Sequence, residues 1–224
     1  MVLAGIKYIF KMSQIITEEY PNASIVGFMK LDQTADFYFE NTPSSFLDDS
    51  IHDAKNPKKR LESLANRFCL FNLIKSSYPD LLPLNVLKTQ ANKPYLEGSS
   101  LHISLSHSKE WSAAAISHHP IGMDIQIFTN KLKIISSKFC NEAELDWLSR
   151  HDTDGDFLHW LWSAKEALFK AYGLGSVDFR KDLGVLFMEE NKGLGIVNKA
   201  NKSYYDLHFQ KLNNYYIAIS TLTL

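Results

Sequence analysis

The second half of the chain is organised around the stretch Trp162-Ser163-Ala164-Lys165-Glu166-Ala167-Leu168-Phe169-Lys170-Ala171-Tyr172-Gly173. Its pattern predicts the end of a helix spanning about 156–172, because glycine is the usual residue just past a helix end. On such a helix Trp162, Glu166 and Lys170 share one face, whereas Lys165 points about 100° away. Taken alone, Glu166 and Lys170 also fit a surface salt bridge worth about 0.3 to 0.5 kcal/mol, so a functional interpretation needs a second segment.

A strand predicted over 121–127 supplies that segment. Its odd-numbered residues are apolar, and Gly122, Asp124 and Gln126 fall on the opposite face because side chains alternate along a strand. Asp124 alone also fits a loop cap or a partner for an arginine. Combined with Glu166, it provides two hard oxygen ligands, which suit a Mg2+ ion that keeps several waters and binds a phosphate. Gln126 adds a neutral amide oxygen.

The first half contains a predicted strand at 24–30 and a long helix at about 57–77, with Asn56 as its N-cap. Apolar residues recur along this helix at steps of three and four, which predicts one face turned toward a core. Two further extended segments, 101–106 and 111–117, predict a hairpin.

The second half repeats this order of strand, helix and strands. Its predicted elements are a strand at 121–127, helices at 141–150 and 156–172, and strands near 183, 194, 204 and 215. The sequence therefore predicts an α+β fold of two similar halves, residues 1–119 and 120–224, the second of which carries the metal-site motifs.

Short sequence matches occur at corresponding places in the two halves. Leu101-His102 leads to Ala115-Ile116-Ser117, and Leu207-His208 leads to Ala218-Ile219-Ser220. Matches of this length favour an internal duplication, although they also arise by chance.

The composition predicts an ordinary globular protein without a nucleic-acid or membrane partner. The 224 residues are 45% hydrophobic and carry 24 basic and 25 acidic side chains. Nonspecific nucleic-acid binding needs a net basic surface, which this balance disfavours. Neither Met1–Tyr8 nor any other stretch has the length of a secretory signal or a membrane helix. Cys69 and Cys140 stand in separate apolar segments, which is typical of a reducing compartment, and we expect a cytoplasmic protein.

Two polar clusters are candidates for phosphate binding. The turn predicted around Ser106-His107-Ser108 offers hydroxyls, backbone amides and an imidazole, although it also fits an ordinary polar turn. Lys58-Lys59-Arg60 places three cations at the positive end of a helix, a conflict that an anionic ligand removes, although a solvated charge run fits equally well. Ser106, His107 and Asp124 are also the residue types of a hydrolase triad, but no G-x-S-x-G pattern surrounds the serine.

Four motifs in order carry a resemblance to a known family. They are Lys93-Pro94, Ser106-His107-Ser108, Gly122-Met123-Asp124-Ile125-Gln126, and Trp162-Ser163-Ala164-Lys165-Glu166-Ala167 with Lys170 and Gly173. Over roughly residues 56–175 the chain resembles the 4′-phosphopantetheinyl transferases of the surfactin-synthetase-activating type.

The resemblance implies two α+β halves related by a pseudo-twofold axis, with coenzyme A in the cleft between them. It assigns the Mg2+ ligands to Asp124 and Glu166, and the pyrophosphate contacts to Lys165 and Lys170. Contacts with the nucleotide and its 3′-phosphate are assigned to six residues, more loosely for the last three: Lys93, Ser106, His107, Lys58, Lys59 and Arg60. In relatives a glutamate commonly stands at the position of Gln126, so we expect a weaker or water-mediated metal contact there.

The implied activity is transfer of the 4′-phosphopantetheine arm of coenzyme A to a serine of an apo acyl or peptidyl carrier protein, with Mg2+ as cofactor. Attack on the β-phosphate releases 3′,5′-ADP, and Mg2+ together with Lys170 stabilises the growing charge. Glu144 or Glu166 takes the serine proton, directly or through one water. Glu144 aligns with a family acid discussed in that role, although it fits a solvated helix glutamate nearly as well. The analogy also predicts a monomer, and no motif selects a particular carrier protein.

Two other functions fit part of the pattern. A noncatalytic coenzyme A or nucleotide-binding protein shares the phosphate contacts but does not need the acid pair Asp124 and Glu166. A Mg2+-dependent nuclease also combines an aspartate, a glutamate and a lysine. The balanced charge and the lack of interleaved aromatic and basic residues disfavour the nuclease.

Overall fold

The computed structural model describes residues 7–9, 15–22, 24–48, 51, 54–187 and 191–223. Two compact units divide the chain between His119 and Pro120. Both combine helices with antiparallel sheets, so the predicted α+β class is confirmed. Residues 1–6 of the N-terminal stretch considered above lie outside the described residues. Within the described part of the chain, no helix has both the length and the apolar character needed to cross a membrane.

The first unit is built on a five-stranded antiparallel sheet. The described strands of this unit, five of which form the sheet, are β1 (Lys7–Ile9), β2 (Ile15–Tyr20), β3 (Ser24–Lys30), β4 (Val86–Lys88), β5 (Pro94–Leu96), β6 (His102–Ser108) and β7 (Trp111–Ser117). Its α-helices over the described residues include α1 (Ala35–Glu40) and α2 (Pro57–Ser77). The sheet has the order β1-β2-β3-β7-β6, and β4 pairs with β5 in a separate ribbon.

Helix α2 packs against this sheet and supplies part of its core. It begins as predicted, because the Asn56 side chain accepts hydrogen bonds from the backbone amides of Lys58 and Lys59. The predicted apolar face is inward. Its buried members are Leu64, Ala65, Phe68 and Ile74, with Leu61 and Phe71 partly buried against the same core. The helix therefore faces the sheet as its periodicity predicts.

The second unit is also built on a five-stranded antiparallel sheet. Its strands are β8 (Ile121–Ile127), β9 (Leu183–Phe187), β10 (Lys192–Val197), β11 (Ser203–Leu212) and β12 (Tyr215–Leu222), in the order β8-β12-β11-β10-β9. Its helices are α3 (Lys131–Phe139), α4 (Glu142–His151) and α5 (Asp156–Tyr172). Helix α5 ends at Gly173 as predicted, with a φ of 65° in the left-handed region.

Helix α5 packs closely on β8 because Gly122 has no side chain. A Cβ atom at Gly122 would collide with the carbonyl oxygen of Ala167 and the amide nitrogen of Ala171. Gly122 and Asp124 share a face of β8, since side chains two residues apart point the same way. The close contact therefore turns Asp124 toward the helix side of the sheet.

The two sheets share a strand order. In the first unit β3 pairs with β7, which pairs with β6, and in the second unit β8 pairs with β12, which pairs with β11. The short sequence matches are not equivalent in register, since His102 pairs with Ser117 whereas Leu207 pairs with Ser220. The strand pairing of the two matches therefore differs by one residue. The pseudo-twofold relation between the halves stays a prediction.

Candidate active site

Strand β8 and helix α5 bring Asp124 and Lys170 into direct contact. The Lys170 Nζ donates to Asp124 Oδ1 at 2.8 Å and to the backbone carbonyl oxygen of Met123 at 2.9 Å. Asp124 is only 7% exposed. A buried carboxylate needs a compensating charge or hydrogen bonds, and Lys170 provides both.

Glu166 lies one helical turn before Lys170, within electrostatic reach of Asp124. Burial, followed by repulsion from the Asp124 carboxylate, raises the pKa of Glu166 to about 7, while Lys170 acts in the opposite direction. The two carboxylates and the ammonium group therefore form one coupled cluster where α5 crosses β8.

The residues of this cluster fit a magnesium ion. Among the described residues, no group of three or more His, Cys, Asp and Glu side chains is placed to hold a metal. A pair of carboxylates is nevertheless enough, because Mg2+ usually binds one or two and completes its shell with water and substrate phosphate. The repulsion that raises the pKa of Glu166 is also the conflict that a divalent cation relieves. Gln126 points its amide nitrogen at the carbonyl oxygen of Ile127, 2.8 Å away.

Lys165, which the resemblance assigns to the pyrophosphate, has its side chain directed into the interior of the second unit. Its side chain is 0% exposed. The Nζ donates to the carbonyl oxygens of Phe139 and Phe179, each at 2.8 Å, and to Glu144 Oε2 at 2.7 Å. An ammonium group has three N–H donors. All three are used inside the second unit.

Glu144 is the N3 residue of a capping box at the start of α4. Its Oε2 accepts from the backbone amide of Asn141 at 2.8 Å, in addition to the ammonium group of Lys165, while the Asn141 side chain accepts from the backbone amide of Glu144. Its Oε1 is buried and has no hydrogen-bond partner in the described part of the chain. Glu144 is therefore not the solvated helix glutamate that the sequence left open.

In the first unit, a buried acid connects two of the predicted phosphate ligands. Glu62 is 7% exposed, and its Oε1 lies 3.7 Å from Lys58 Nζ and 3.7 Å from His107 Nδ1. Sequence reasoning missed Glu62, although its spacing of four residues from Lys58 on a helix is a signal for such a contact. Lys59 is exposed, and Arg60 lies 3.8 Å from the exposed Asp36.

Ser106, His107 and Ser108 lie on strand β6, so the predicted turn at these residues is wrong. The turn is Lys109–Glu110, and Lys109 has a φ of 54°. Because side chains alternate along a strand, Ser106 and His107 point to opposite faces of the sheet. His107 lies on the face that meets α2 and Glu62, whereas Ser106 is buried on the other face.

Among the predicted phosphate ligands, Lys93 has the pKa that is shifted furthest from its ordinary value. Burial lowers the pKa of its ammonium group to about 8. The charge of Lys93 in turn adds to the effect of burial in lowering the pKa of His102. A partly desolvated cation binds an anion more strongly than a fully hydrated one, because less water is displaced.

Comparison with known proteins relates the second unit to one family. Residues 120–220 match the model of the 4′-phosphopantetheinyl transferase superfamily. The chain is 30% identical over 118 residues to the 4′-phosphopantetheinyl transferase gsp of Aneurinibacillus migulanus, covering 51% of this chain and 48% of that protein. It is 34% identical over 76 residues to the 4′-phosphopantetheinyl transferase Sfp of Bacillus subtilis, covering 33% and 34%. The chain thus spans about half, or less, of the length of these two relatives.

A third relative is matched over a longer stretch. The chain is 23% identical over 158 residues to a putative 4′-phosphopantetheinyl transferase of Haemophilus influenzae, which covers 63% of this chain and 65% of that protein. The matches in these three species agree in the class of protein they indicate.

Proposed function

The chain resembles the 4′-phosphopantetheinyl transferases, as its sequence predicts, and we propose that it transfers the phosphopantetheine arm of coenzyme A to a carrier-protein serine. The acceptor is an apo acyl or peptidyl carrier protein. The observation that carries the proposal is the coupled cluster of Asp124, Glu166 and Lys170, which supplies the acid pair and the cation that phosphoryl transfer needs.

Asp124 and Glu166 would hold the Mg2+ ion on the helix side of β8. When bound, Mg2+ supplies positive charge to the diphosphate and to the oxygen that leaves with 3′,5′-ADP. Gln126 stands where a third ligand belongs, and a contact through water suits its neutral amide. The ligand set thereby carries two negative charges, which still favours a hard divalent cation.

Lys170 is the residue of this chain best placed to stabilise charge in the transition state. Its ammonium group is held by Asp124 and by the carbonyl oxygen of Met123, so its position is fixed before substrate binds. As the serine oxygen bonds to the β-phosphorus, the bond from that phosphorus to the bridging oxygen breaks. Negative charge then grows on oxygens beside Lys170, and a preorganised cation lowers the barrier.

The serine proton goes to a carboxylate oxygen of Glu166, directly or through one water. The pKa of about 7 belongs to the metal-free cluster, and a bound divalent cation would lower it, so this role rests on the position of Glu166 beside Asp124 and Lys170. Glu144 is less suited to the task, because its Oε2 is bound to Lys165 and its Oε1 is buried.

Residues of the first unit would bind the nucleotide of coenzyme A. We assign its 3′-phosphate first to Lys93, whose ammonium group is partly desolvated. His107 and Lys58 are held together by Glu62 and supply further donors. Lys59 and Arg60 complete the proposed set near Glu62, whereas Ser106 lies on the opposite face of β6 and would contact a different part of the nucleotide.

The test is incubation of the protein with coenzyme A, Mg2+ and an apo carrier protein, followed by mass spectrometry of the carrier. Transfer adds one phosphopantetheine to the carrier, and a carrier with its acceptor serine replaced by alanine stays unmodified. Binding of coenzyme A with no mass change on a panel of acyl and peptidyl carriers would instead indicate a noncatalytic binding protein. Cleavage of added RNA or DNA would indicate a nuclease.

Glu166→Gln is the matched variant for the chemical step. It keeps the size of the side chain but removes one carboxylate from the cluster, so turnover should be lost while coenzyme A still binds. Full activity of this variant would remove Glu166 from the site.

A further inference from the structure

Lys165 joins three segments of the second unit through one buried ammonium group. Its acceptors are the carbonyl oxygen of Phe139 at the end of α3, Glu144 in the first turn of α4, and the carbonyl oxygen of Phe179 in the loop before β9. The carbonyl acceptors are fixed parts of the backbone. Any rotation or sliding of α5 would pull Lys165 away from them and leave a buried charge without partners.

Glu144 is the charged acceptor in this arrangement, and its carboxylate group is directed into the protein. Its side chain is 10% exposed, and Oε2 is occupied by two donors, the Asn141 amide and Lys165. Oε1 is buried as well. A general base must come within hydrogen-bond distance of the proton that it removes. In this structure Oε2 already accepts from two donors and Oε1 is buried, which leaves Glu144 poorly placed to meet a substrate hydroxyl.

The position of α5 sets the position of Glu166. Lys165 and Glu166 are neighbours on α5, and their side chains point about 100° apart. Lys165 therefore faces its three buried acceptors, while Glu166 faces Asp124. The absence of a side chain at Gly122 brings β8 close to the same helix. A small rotation of α5 about its own axis would therefore move Glu166 away from Asp124.

We infer that Glu144 and Lys165 are a positioning pair, which orients α5 so that Glu166 meets Asp124 and which touches neither coenzyme A nor the carrier serine. The inference rests on the proposed function for its effect on catalysis. It departs from the sequence-based expectations, in which Lys165 binds the pyrophosphate and Glu144 takes a proton.

The test uses Glu144→Gln, Lys165→Met and the double variant, with Glu142→Gln as control. Glutamine at residue 144 keeps an oxygen for the capping box, and methionine keeps an unbranched chain without the charge. Glu142 lies in the same turn of α4, is 94% exposed in its side chain and lies 3.8 Å from Arg180. For each variant we would measure the urea unfolding midpoint, kcat, the KM for coenzyme A and the pH–rate profile.

A positioning pair predicts that both single variants lower the unfolding midpoint and lower kcat by about 10- to 100-fold. The KM for coenzyme A should change by less than about threefold, because neither residue contacts it, and the pH–rate profile should keep its shape. The double variant should be no slower than the slower single variant, since residues that act as a unit are not additive. Glu142→Gln should match the wild type.

Either of two kinetic results would overturn the inference. One is a Glu144→Gln variant with an unchanged unfolding midpoint, a loss of about 100-fold or more in kcat and a missing limb in its pH–rate profile, which is the behaviour of a general base. The other is a Lys165→Met variant with an unchanged midpoint and a KM for coenzyme A raised about tenfold or more, which is the behaviour of a phosphate ligand. If Lys165→Met does not fold, the isosteric Glu144→Gln still distinguishes a positioning residue from a general base, through its unfolding midpoint, its kcat and its KM.

Failure of the proposed function gives a different result. If the wild type modifies no carrier, the transferase proposal fails, but urea unfolding still measures the coupling between residues 144 and 165. Additive changes in the unfolding midpoint would refute the pair whether or not the protein is active.

Discussion

Gly122 and Ala167 bring strand β8 and helix α5 into backbone contact, and this contact places Asp124 beside Glu166 and Lys170. A Cβ atom at Gly122 would overlap the carbonyl oxygen of Ala167, and backbone atoms cannot move aside cheaply. We therefore expect Gly122→Ala to destabilise the protein by about 1 to 3 kcal/mol, the usual cost of overpacking a core. It should also lower transferase activity, because the helix must shift.

The matched control is Gly184→Ala, on strand β9 of the same sheet. There the nearest atom to a new Cβ is the Cβ of Ile196, at an ordinary 3.7 Å. Urea unfolding should show a change of less than about 0.5 kcal/mol for this variant. Equal effects of the two substitutions would contradict a special role for the contact at Gly122.

The raised pKa of Glu166 predicts a specific dependence of stability on pH in metal-free protein. The folded-state pKa is about 7 and the ordinary value is 4.5. The folded state therefore binds the proton more tightly, and the free energy of unfolding falls as the pH rises through this window. Glu166→Gln removes the titrating group. It should exceed the wild type in stability by about 1 to 3 kcal/mol at pH 8, but by little at pH 4.

Urea unfolding in the presence of a chelator, at pH 4, 6 and 8, measures this difference. Glu142→Gln, which removes an exposed carboxylate, should follow the wild type at each pH. A constant difference between Glu166→Gln and the wild type across the three pH values would show that burial beside Asp124 does not raise the pKa of Glu166 in the folded state. Added Mg2+ at pH 8 should stabilise the wild type by more than the variant, because the variant lacks a ligand.

Local signals in the sequence were sufficient to predict the helices and the strand that carry the site. Helix α2 is capped by Asn56 and has a regular apolar face, and helix α5 ends at a glycine, so both spans were predictable. The alternation of residues 121–127 placed Asp124 on the correct face of its strand. These signals depend on the spacing of near neighbours, which a sequence displays directly.

The environments that were mispredicted depend on distant residues. Lys165 is buried because carbonyl oxygens from Phe139 and Phe179 meet it, and no local pattern shows where those segments go. The polar run at Ser106–Ser108 resembles a turn, but pairing with Trp111–Ser117 makes it part of a strand. Strand β2 and helix α3 were also missed.

Lys170→Met should harm both stability and catalysis. The substitution leaves the buried Asp124 carboxylate without the cation that lies 2.8 Å from it. The Lys170 side chain is about a quarter exposed, so we expect a loss of about 1 to 3 kcal/mol, less than for a fully buried pair. The kcat should fall by about 100- to 1000-fold, since a preorganised charge is lost from the transition state. Urea unfolding and the carrier-modification rate measure the two effects.

Lys138→Met is the control for that substitution, because it removes an exposed lysine from helix α3. Its unfolding free energy should remain within about 0.5 kcal/mol of the wild type. A Lys170→Met variant with wild-type kcat would mean that another group stabilises the growing charge.

Lys93 is predicted to select for the 3′-phosphate of coenzyme A, and its lowered pKa makes that selectivity depend on pH. Dephospho-coenzyme A lacks this phosphate, so the ratio of the two dissociation constants isolates the contact. With a pKa of about 8, the lysine is charged at pH 7 and loses its charge as the pH rises. The wild type should therefore prefer coenzyme A by about tenfold at pH 7, and by less at pH 10.

Lys93→Gln should show a smaller preference at pH 7 and little change in it between pH 7 and pH 10, because no lysine titrates at that position. Isothermal titration calorimetry with both ligands at the two pH values measures this, and Lys109→Gln, in the exposed turn between β6 and β7, serves as the control. The preference should fall as the pH rises through the pKa of about 8 and level off above the higher pKa that a bound phosphate gives Lys93. If Lys93→Gln distinguishes the two ligands as well as the wild type does, the 3′-phosphate is bound elsewhere, and the basic residues around Glu62 become its assigned site.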